Sequence, residues 1–401
     1  MIKTIRVMLL PNNKQKTKLF QYANTARFAY NWALAKEQEN YKNGGKFISD
    51  GDLRKEFTQL KKTSEYAWLN SISNNVTKQA IKDACEAYRD FFKGYTKFPR
   101  FKSRKHSIPK FYQDNIKIQF TDTHVKVEGF AASKKKNRQK LNWIRLAERG
   151  RIPANCRYTN PRIKYDGINW WLTVGIECED CTDLPSNDGI GIDLGITELA
   201  VCSDKIKYKN INKSPKVKKL KKRKRRLQRS ISRKYEKNKK GVSYCKTNNI
   251  IKREKELLSL NHRLTNINKN HLHQTTSEII KRKPSFICME DLNVKGMMKN
   301  KHLSKAIQQQ CFYEFRRQIE YKAMWNHIPV IIADRFYPSS KLCSCCGNVR
   351  KNLKLNDRIY RCSCGNVMDR DEQAGLNLKR YGEMALKQSV SKHLQVNTDM
   401  Y

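Results

Sequence analysis

The apolar residues of this chain change their period partway along it, and that change decides what each stretch can build. Leu19, Phe20, Ala23, Ala26, Phe28, Ala29, Tyr30 and Ala33 form a broad apolar stripe, and residues 75–92 give another. Steps of three and four residues place such a stripe on one face of a helix. Residues 14–95 therefore read as mainly helical. Pro99 and the basic string Arg100-Phe101-Lys102-Ser103-Arg104-Lys105 break the pattern. From Ile116 the period is two: Ile116, Ile118 and Phe120 alternate with polar residues, as do Val125 and Val127. Residues 162–174 read as a hairpin turning at Asp166-Gly167, with Trp170-Trp171-Leu172 on the return strand. The expectation is an antiparallel β unit of roughly 80 residues beside the helical region.

A polar joint at 180–188, containing Pro185, separates that unit from a third region. There, residues 190–195 and 198–202 make a second β pair. A long amphipathic helix follows, with Leu257, Leu260, Leu264 and Ile267 on one side. Ser285-Phe286-Ile287-Cys288-Met289 reads as a buried strand ending at Glu290, residues 304–325 as helix, and Val330-Ile331-Ile332-Ala333 as a further strand. No repeat of solenoid length is present, and the polar stretch from Lys387 reads as a frayed tail.

Charge narrows the partners. Lys and Arg number 83 against 37 Asp and Glu, a formal net charge of +46 over 401 residues, while 38% hydrophobic content suffices for a folded core. Such an excess points to a polyanion, nucleic acid ahead of a membrane surface. It also repels itself, so the free protein is expected to behave poorly without that partner. The first ten residues are too short and too charged for a secretory segment, and no apolar stretch of ~18 residues exists to span a membrane. The expectation is a cytoplasmic protein.

Of thirteen cysteines, five lie within residues 343–364. That crowding suggests a reducing compartment and one metal site instead of a disulfide framework. Cys343 and Cys346 have C-x-x-C spacing and Cys362 and Cys364 form a shorter C-x-C knuckle, each followed by glycine. Four thiolates from two knuckles close a tetrahedral structural zinc site, with Cys345 a spectator.

Three acids stand where a carboxylate needs a reason. Asp193 interrupts the apolar run Ile190-Gly191-Ile192-Asp193-Leu194, Glu290 closes a buried strand, and Asp369-Arg370-Asp371 follows the second knuckle and opens a helix. A buried carboxylate without a partner is costly. Three on separate elements can converge on a pair of Mg²⁺ ions that clamp a scissile phosphate. Singly each has a plainer reading: Asp371 as a helix N-cap, Asp193 as a strand-end acid bound to a backbone amide.

The sequence resembles the TnpB (OrfB) family, RNA-guided nucleases of insertion sequences related to the type V CRISPR effectors. The resemblance is carried by Gly191-Ile192-Asp193-Leu194-Gly195-Ile196, Met289-Glu290-Asp291-Leu292-Asn293-Val294 and the ribbon ending in Asp369-Arg370-Asp371. Residues 98–103 and Tyr321-Lys322-Ala323 also match, so the similarity spans residues 1 to about 382. It implies an α/β multidomain protein. An RNase H-like RuvC nuclease domain (188–340 and 367–386) holds a zinc ribbon (341–366) that binds target nucleic acid. The first strand or strands (1–13) and residues 96–182 form an antiparallel β, wedge-like domain, 14–95 a helical recognition domain, and 387–401 a flexible tail.

On that resemblance Asp193, Glu290 and Asp371 are the catalytic acids binding two Mg²⁺ ions, with Asp369 the substitute for the third. The family usually carries Asn where this chain has Gln373, and Ala where it has Gly375. Also implied are a guide RNA from the transposon end, a double-stranded DNA target beside a short motif read before residue 180, one RuvC site cutting both strands, a companion transposase encoded nearby, and a bacterial or phage host. A nuclease-inactive RNA-guided repressor and a strand-transfer transposase remain as alternatives.

Residues 205–240 hold nineteen Lys or Arg and one acid, Glu236, which suits a phosphate-binding surface. Basic segments at 97–105, 134–140 and 341–358 spread the charge further, as expected for a protein that holds a heteroduplex by its backbone. The candidate nucleic-acid contacts are Arg100, Lys102, Lys221, Lys222, Arg223, Arg225, Arg226 and Arg229. Tyr95, Phe98, Phe101 and Tyr112 can stack on bases or serve as core. His271 and His273, two apart on a helix, face different ways and read as packing or phosphate contacts.

Overall fold

The computed structural model describes residues 1–130, 141–179, 182, 184–353 and 357–398. The basic stretch 134–140 lies outside the described residues. The chain divides into two compact units, 1–179 and 180–401.

The first unit opens with strand β1 (Ile2–Leu10) and continues through helices α1 (Asn13–Lys42), α2 (Asp50–Leu60) and α3 (Asn74–Phe92). Strands β2 (Lys110–Tyr112), β3 (Gln119–Phe120), β4 (His124–Lys126), β5 (Trp143–Leu146), β6 (Tyr158–Tyr165) and β7 (Trp170–Glu177) complete it. They form an antiparallel sheet in the order β2-β6-β7-β1-β5-β4-β3. Asn12 starts α1 with a reciprocal capping box to Gln15. Alanines 23, 26, 29 and 33 are buried on its inner face, and such small side chains let α3 approach closely. Asp166 builds the β6–β7 turn: one carboxylate oxygen accepts the amides of Ile168 and Asn169 at 3.0 and 2.8 Å, and the other accepts the Trp171 indole N–H at 2.6 Å. Ile116 departs from its expected strand position. It sits 86% exposed in a turn closed by Asp114, whose side chain accepts the amides of residues 116 and 117. The ladder therefore starts only at Gln119.

In the second unit β8 (Ile190–Leu194), β9 (Glu198–Cys202) and β10 (Lys207–Lys209) precede two long helices, α4 (Pro215–Lys237) and α5 (Asn248–Lys281). A two-residue ladder, β11 (Lys239–Lys240) with β12 (Ser243–Tyr244), lies between those helices. Then come β13 (Ile287–Glu290), α6 (Val294–Met297), α7 (Ser304–Gln310), α8 (Phe312–Met324), β14 (Val330–Ala333), the hairpin β15 (Ile359–Arg361) and β16 (Val367–Asp369), and α9 (Arg370–Thr398). The main sheet runs β10-β9-β8-β13-β14, antiparallel through β8 and parallel from β8 to β14.

The expected helix over 304–325 is broken at Cys311, whose left-handed backbone (φ 55°) separates α7 from α8. Lys322 of α8 is buried and donates to the carbonyl of His273 and the hydroxyls of Thr276 and Ser277 on α5. Burial lowers it to about 8. The backbone of α9 stays helical past residue 387, in a segment free of Gly and Pro.

Candidate active site and metal centre

Asp193 lies on β8 between the buried Ile192 and Leu194. The parallel register pairs Ile287 with Ile190, Cys288 with Gly191 and Met289 with Ile192. One further step sets Glu290, the last residue of β13, beside Asp193 at the adjacent strand end, where neighbouring strands run about 4.8 Å apart. The first turn of α9 supplies Asp371. This helix rests directly on β8: a Cβ on Gly191 would meet the Gly375 carbonyl oxygen at 2.1 Å and the Lys379 nitrogen at 2.3 Å. Only glycine admits so close an approach. Gly375 in turn faces the Ser203 nitrogen, where a Cβ would stand at 3.1 Å. The alanine usual in the family would need that backbone to give by a few tenths of an ångström.

The electrostatics tie the three acids together. Burial first, then the charges of Glu290 and Asp371, push the Asp193 carboxyl well above the usual carboxylate range, with Arg370 pulling the other way. Burial also raises Glu290, and the buried Ser339 hydroxyl, which donates to it, works against that rise. Asp371 pairs with Arg358 at 3.5 Å and Arg370 at 3.3 Å, and Arg358 also reaches the Thr197 hydroxyl at 3.3 Å.

Asp369 has other work. It accepts the backbone amides of Asp371 (2.8 Å) and Glu372 (3.3 Å) and pairs with Lys207 at 3.1 Å. Burial alone would raise its carboxyl, but these donors hold it below the ordinary value. The N-cap role that the sequence left open for Asp371 is thus filled by Asp369, while the charge of Asp371 bears on Asp193.

The four thiols chosen from spacing converge. Cys343, Cys346, Cys362 and Cys364 place their sulfurs within 4.8 Å of one another, with Cys343–Cys364 at 3.6 Å and Cys346–Cys362 at 3.5 Å. Tetrahedral zinc with ~2.3 Å bonds calls for similar sulfur spacings. Gly347 and Gly365 take positive φ, 74° and 89°, and so close the two turns. Cys345 is exposed and outside the set. Among the described residues, only this set gathers three or more ligand atoms so tightly.

Two buried amides bind the ribbon to α9. The fully buried Gln373 donates to the Leu342 carbonyl at 2.7 Å and accepts from the Ser344 hydroxyl at 2.9 Å and the Asn366 amide at 3.1 Å. Asn377 donates to the carbonyls of Ser339 and Leu342, both at 2.7 Å. Both knuckles are therefore tied to the helix that carries Asp371. The sequence reading noted Gln373 only as a departure from a pattern. It missed Ser339 and Asn377, because nothing local marks a serine or asparagine that acts through tertiary contact.

The basic candidates separate by environment. Lys222, Arg225, Arg226 and Arg229 are exposed on α4, whose apolar side buries Val217, Leu220, Leu227 and Ile231. Arg223 pairs with Glu256 at 2.7 Å, while Lys221 donates to Gln309 at 2.6 Å and Asn212 at 3.0 Å. In the first unit Arg100 is exposed, whereas half-buried Lys102 sits over the Tyr30 ring at 2.9 Å and is lowered by burial to about 7. His271 bonds the Lys209 carbonyl at 2.8 Å.

Three family models match. One described as "Probable transposase" (OrfB, IS605) covers residues 174–301, one described as "Helix-turn-helix domain" of the same group covers 1–46, and "Cas12f1-like, TNB domain" covers 312–378. Residues 1–46 here form a strand and a single long helix, β1 and α1. The chain is 30% identical over 375 residues to a Streptomyces pristinaespiralis protein named "Putative RNA-guided DNA endonuclease", covering 93% of this chain and 87% of that one. It is 27% identical over 377 residues to the Escherichia coli (strain K12) protein of the same name, InsQ, covering 90% and 87%. A cryo-EM structure of a Cas12f1–sgRNA–target DNA complex shares its fold at a TM-score of 0.60 and 13% identity, over 94% of this chain and 98% of that one.

Proposed function

The chain belongs to the TnpB (OrfB) family, and from that premise we propose that it is an RNA-guided, Mg²⁺-dependent endonuclease that cuts double-stranded DNA beside a short motif through one RuvC site. The observation that supports this reading is the buried Asp193 carboxyl at its strand end, raised by its burial and by the charges of Glu290 and Asp371, a combination that a bound cation would relieve. An all-oxygen donor set with mutual repulsion suits hard divalent ions. Asp193, Glu290 and Asp371 would hold two Mg²⁺ ions, which supply an activated water and charge stabilisation of the leaving oxygen. The rest falls to the chain itself. Ser339 orients Glu290, the Asp369 cap fixes the helix start that presents Asp371, and Arg358 brings positive charge to the site's edge.

In the same reading the four thiols bind structural zinc, residues 188–340 and 367–386 are the RuvC domain, and 341–366 the ribbon. Residues 14–95 are the recognition domain, and 1–13 with 96–182 the wedge. Among the described residues no helix is long and apolar enough to cross a membrane.

The test is to express the protein beside its native flanking DNA, sequence the RNA that co-purifies, and present a matching duplex with Mg²⁺. One discrete RNA with a constant structured part and a variable end, followed by cleavage of the matched duplex alone, is expected. Random cellular RNA would overturn the guided reading. Discrete RNA with binding and no cut would mark the chain as a repressor.

The exposed face of α4 gives a second expected result. Replacing Lys222, Arg225, Arg226 and Arg229 with Ala lowers the slope of log affinity against log salt by about 3, since each phosphate contact accounts for roughly 0.7–0.9. Titrations of RNA binding at several salt concentrations measure it, and an unchanged slope would remove α4 from the interface.

A further inference from the structure

A cavity of about 380 Å³ opens in the first unit between the C-terminal ends of α1 and α3. Its walls are rings: Phe47, Tyr88, Phe91, Phe92 and Phe98. Phe92 and Phe98 are 59% and 48% exposed, a poor use of large apolar side chains unless something covers them. Edge-to-face contacts of Phe98 with Tyr88 (5.7 Å) and Phe91 (5.2 Å) hold the walls in place.

The lining is not purely apolar. Glu37, 4% exposed, lines the same cavity. One of its carboxylate oxygens accepts the Ile48 amide at 3.3 Å, and the other, Oε1, is buried without a hydrogen-bond partner among the described residues. The buried Tyr88 hydroxyl lies beside Gln38 in the same lining. An unpaired carboxylate oxygen in such a place calls for a ligand that offers N–H donors.

We propose that this cavity holds one unpaired guanine of the bound RNA, stacked against the exposed rings with its N1–H and N2–H edge on Glu37. A carboxylate in the lining repels phosphate, so the group that enters is a base and the backbone stays outside, where Lys42 lies at the rim. Guanine pairs adjacent N–H donors with an O6 acceptor, which suits a carboxylate beside a hydroxyl. Adenine and cytosine offer one exocyclic amine, and uracil one ring N–H. RNA is the source because its loops present bases out of the stack, whereas duplex DNA would have to be unpaired first. Burial pushes the Glu37 carboxyl up, against the Ile48 amide and the charge of Arg89.

The inference rests on the RNA-binding reading above, and its test separates the two. Cells expressing the protein beside its flanking DNA are fed 6-thioguanine or, in parallel, 4-thiouracil, and the purified ribonucleoprotein is irradiated and its cross-linked peptides mapped. Cross-links from 6-thioguanosine to the peptides holding Phe47 or Phe91 to Phe98 are expected, falling about tenfold in Phe92→Ala, in line with the loss of one base–aromatic stack, and also in Glu37→Gln. Retained RNA with no cross-link at those peptides, or cross-links there only from 4-thiouridine, overturns the guanine site and leaves the guided reading intact. So does a cross-link there only from a target DNA carrying 6-thiodeoxyguanosine. Absence of any co-purifying RNA overturns the guided reading itself. Phe92 is exposed and Glu37→Gln is isosteric, so both variants are expected to fold, and circular dichroism melts check that they do.

Discussion

Asp193→Ala, Glu290→Ala and Asp371→Ala each reduce cleavage of a guide-matched duplex by about a thousandfold or more, with RNA and DNA binding retained. Loss of a ligand to a catalytic ion removes several kcal/mol of transition-state stabilisation, and each 1.36 kcal/mol is about a factor of ten in rate. Asp369→Asn is the control. It stands two residues from Asp371, but it caps α9 and pairs with Lys207; Asn keeps the cap and gives up only that exposed ion pair, worth about 1 kcal/mol or less, so the rate falls about tenfold or less. Equal collapse of the Asp369 and Asp371 variants, or full activity in all three Ala variants, would sink the assignment.

A melting experiment reads the same site without cleavage. The Asp193 carboxyl lies above its ordinary value in the folded chain, so the folded state binds the extra proton. The stabilisation this gives is complete below the ordinary carboxylate range and is lost as pH rises through the raised value. Above that ordinary range the metal-free protein therefore carries the penalty of burying this carboxyl beside two others. Asp193→Asn is expected to melt higher than the parent in chelator, and added Mg²⁺ to stabilise the parent more than the variant. The reverse order would place the acids elsewhere than in a cation site.

Zinc removal should be nearly as damaging as losing an acid. The thiol set and α9 are one mechanical unit, since Gln373 bonds to Leu342 and Ser344 beside the first knuckle and to Asn366 beside the second. Purified protein is expected to carry one zinc ion per chain, measured by release to a chromophoric chelator. Stripping it, or making Cys364→Ser, should lower cleavage at least about a hundredfold, because misplacing a catalytic group by about 1 Å has that effect. Gln373→Ala should copy part of the loss with zinc still bound. It takes the oxygen acceptor from the buried Ser344 hydroxyl, at roughly 1–3 kcal/mol, and releases the Asn366 amide, while the Leu342 carbonyl keeps its bond from Asn377. Full cleavage by zinc-free protein would show that the ribbon does not position Asp371.

What could be read from the sequence follows the range of the forces involved. The β6–β7 turn was legible because Asp166 and Gly167 act on their immediate neighbours, and the cluster of four thiols because two short knuckles must each aim a pair of sulfurs. Asp193 and Glu290 stood out because a carboxylate in or at the end of an apolar strand needs a partner, and Asp371 by its place after the second knuckle at the start of a helix. Cys311 was not legible: its left-handed backbone interrupts an apolar pattern that continues on both sides. Ile116 misled for the opposite reason, since alternation persists into a turn that Asp114 closes. Glu37 gave no signal, because an acid on a helix is ordinary until its surroundings are known. Asp369 and Asp371 could not be ranked from spacing alone, since the choice depends on Lys207, more than 160 residues away.

The contact between Gly191 and α9 also bears on tolerance. Most helix–sheet seams are cushioned by side chains that can change rotamer to absorb a shift. Here backbone meets backbone, with the Gly375 carbonyl and Lys379 nitrogen in the space a Cβ would fill. The joint has almost no compliance. The distance between the acid on the strand and the acid on the helix is then set like a hard stop, by atoms with no alternative positions. Sequence drift can repack the outer surface of α9 freely and still leave the gap between Asp193 and Asp371 unaltered.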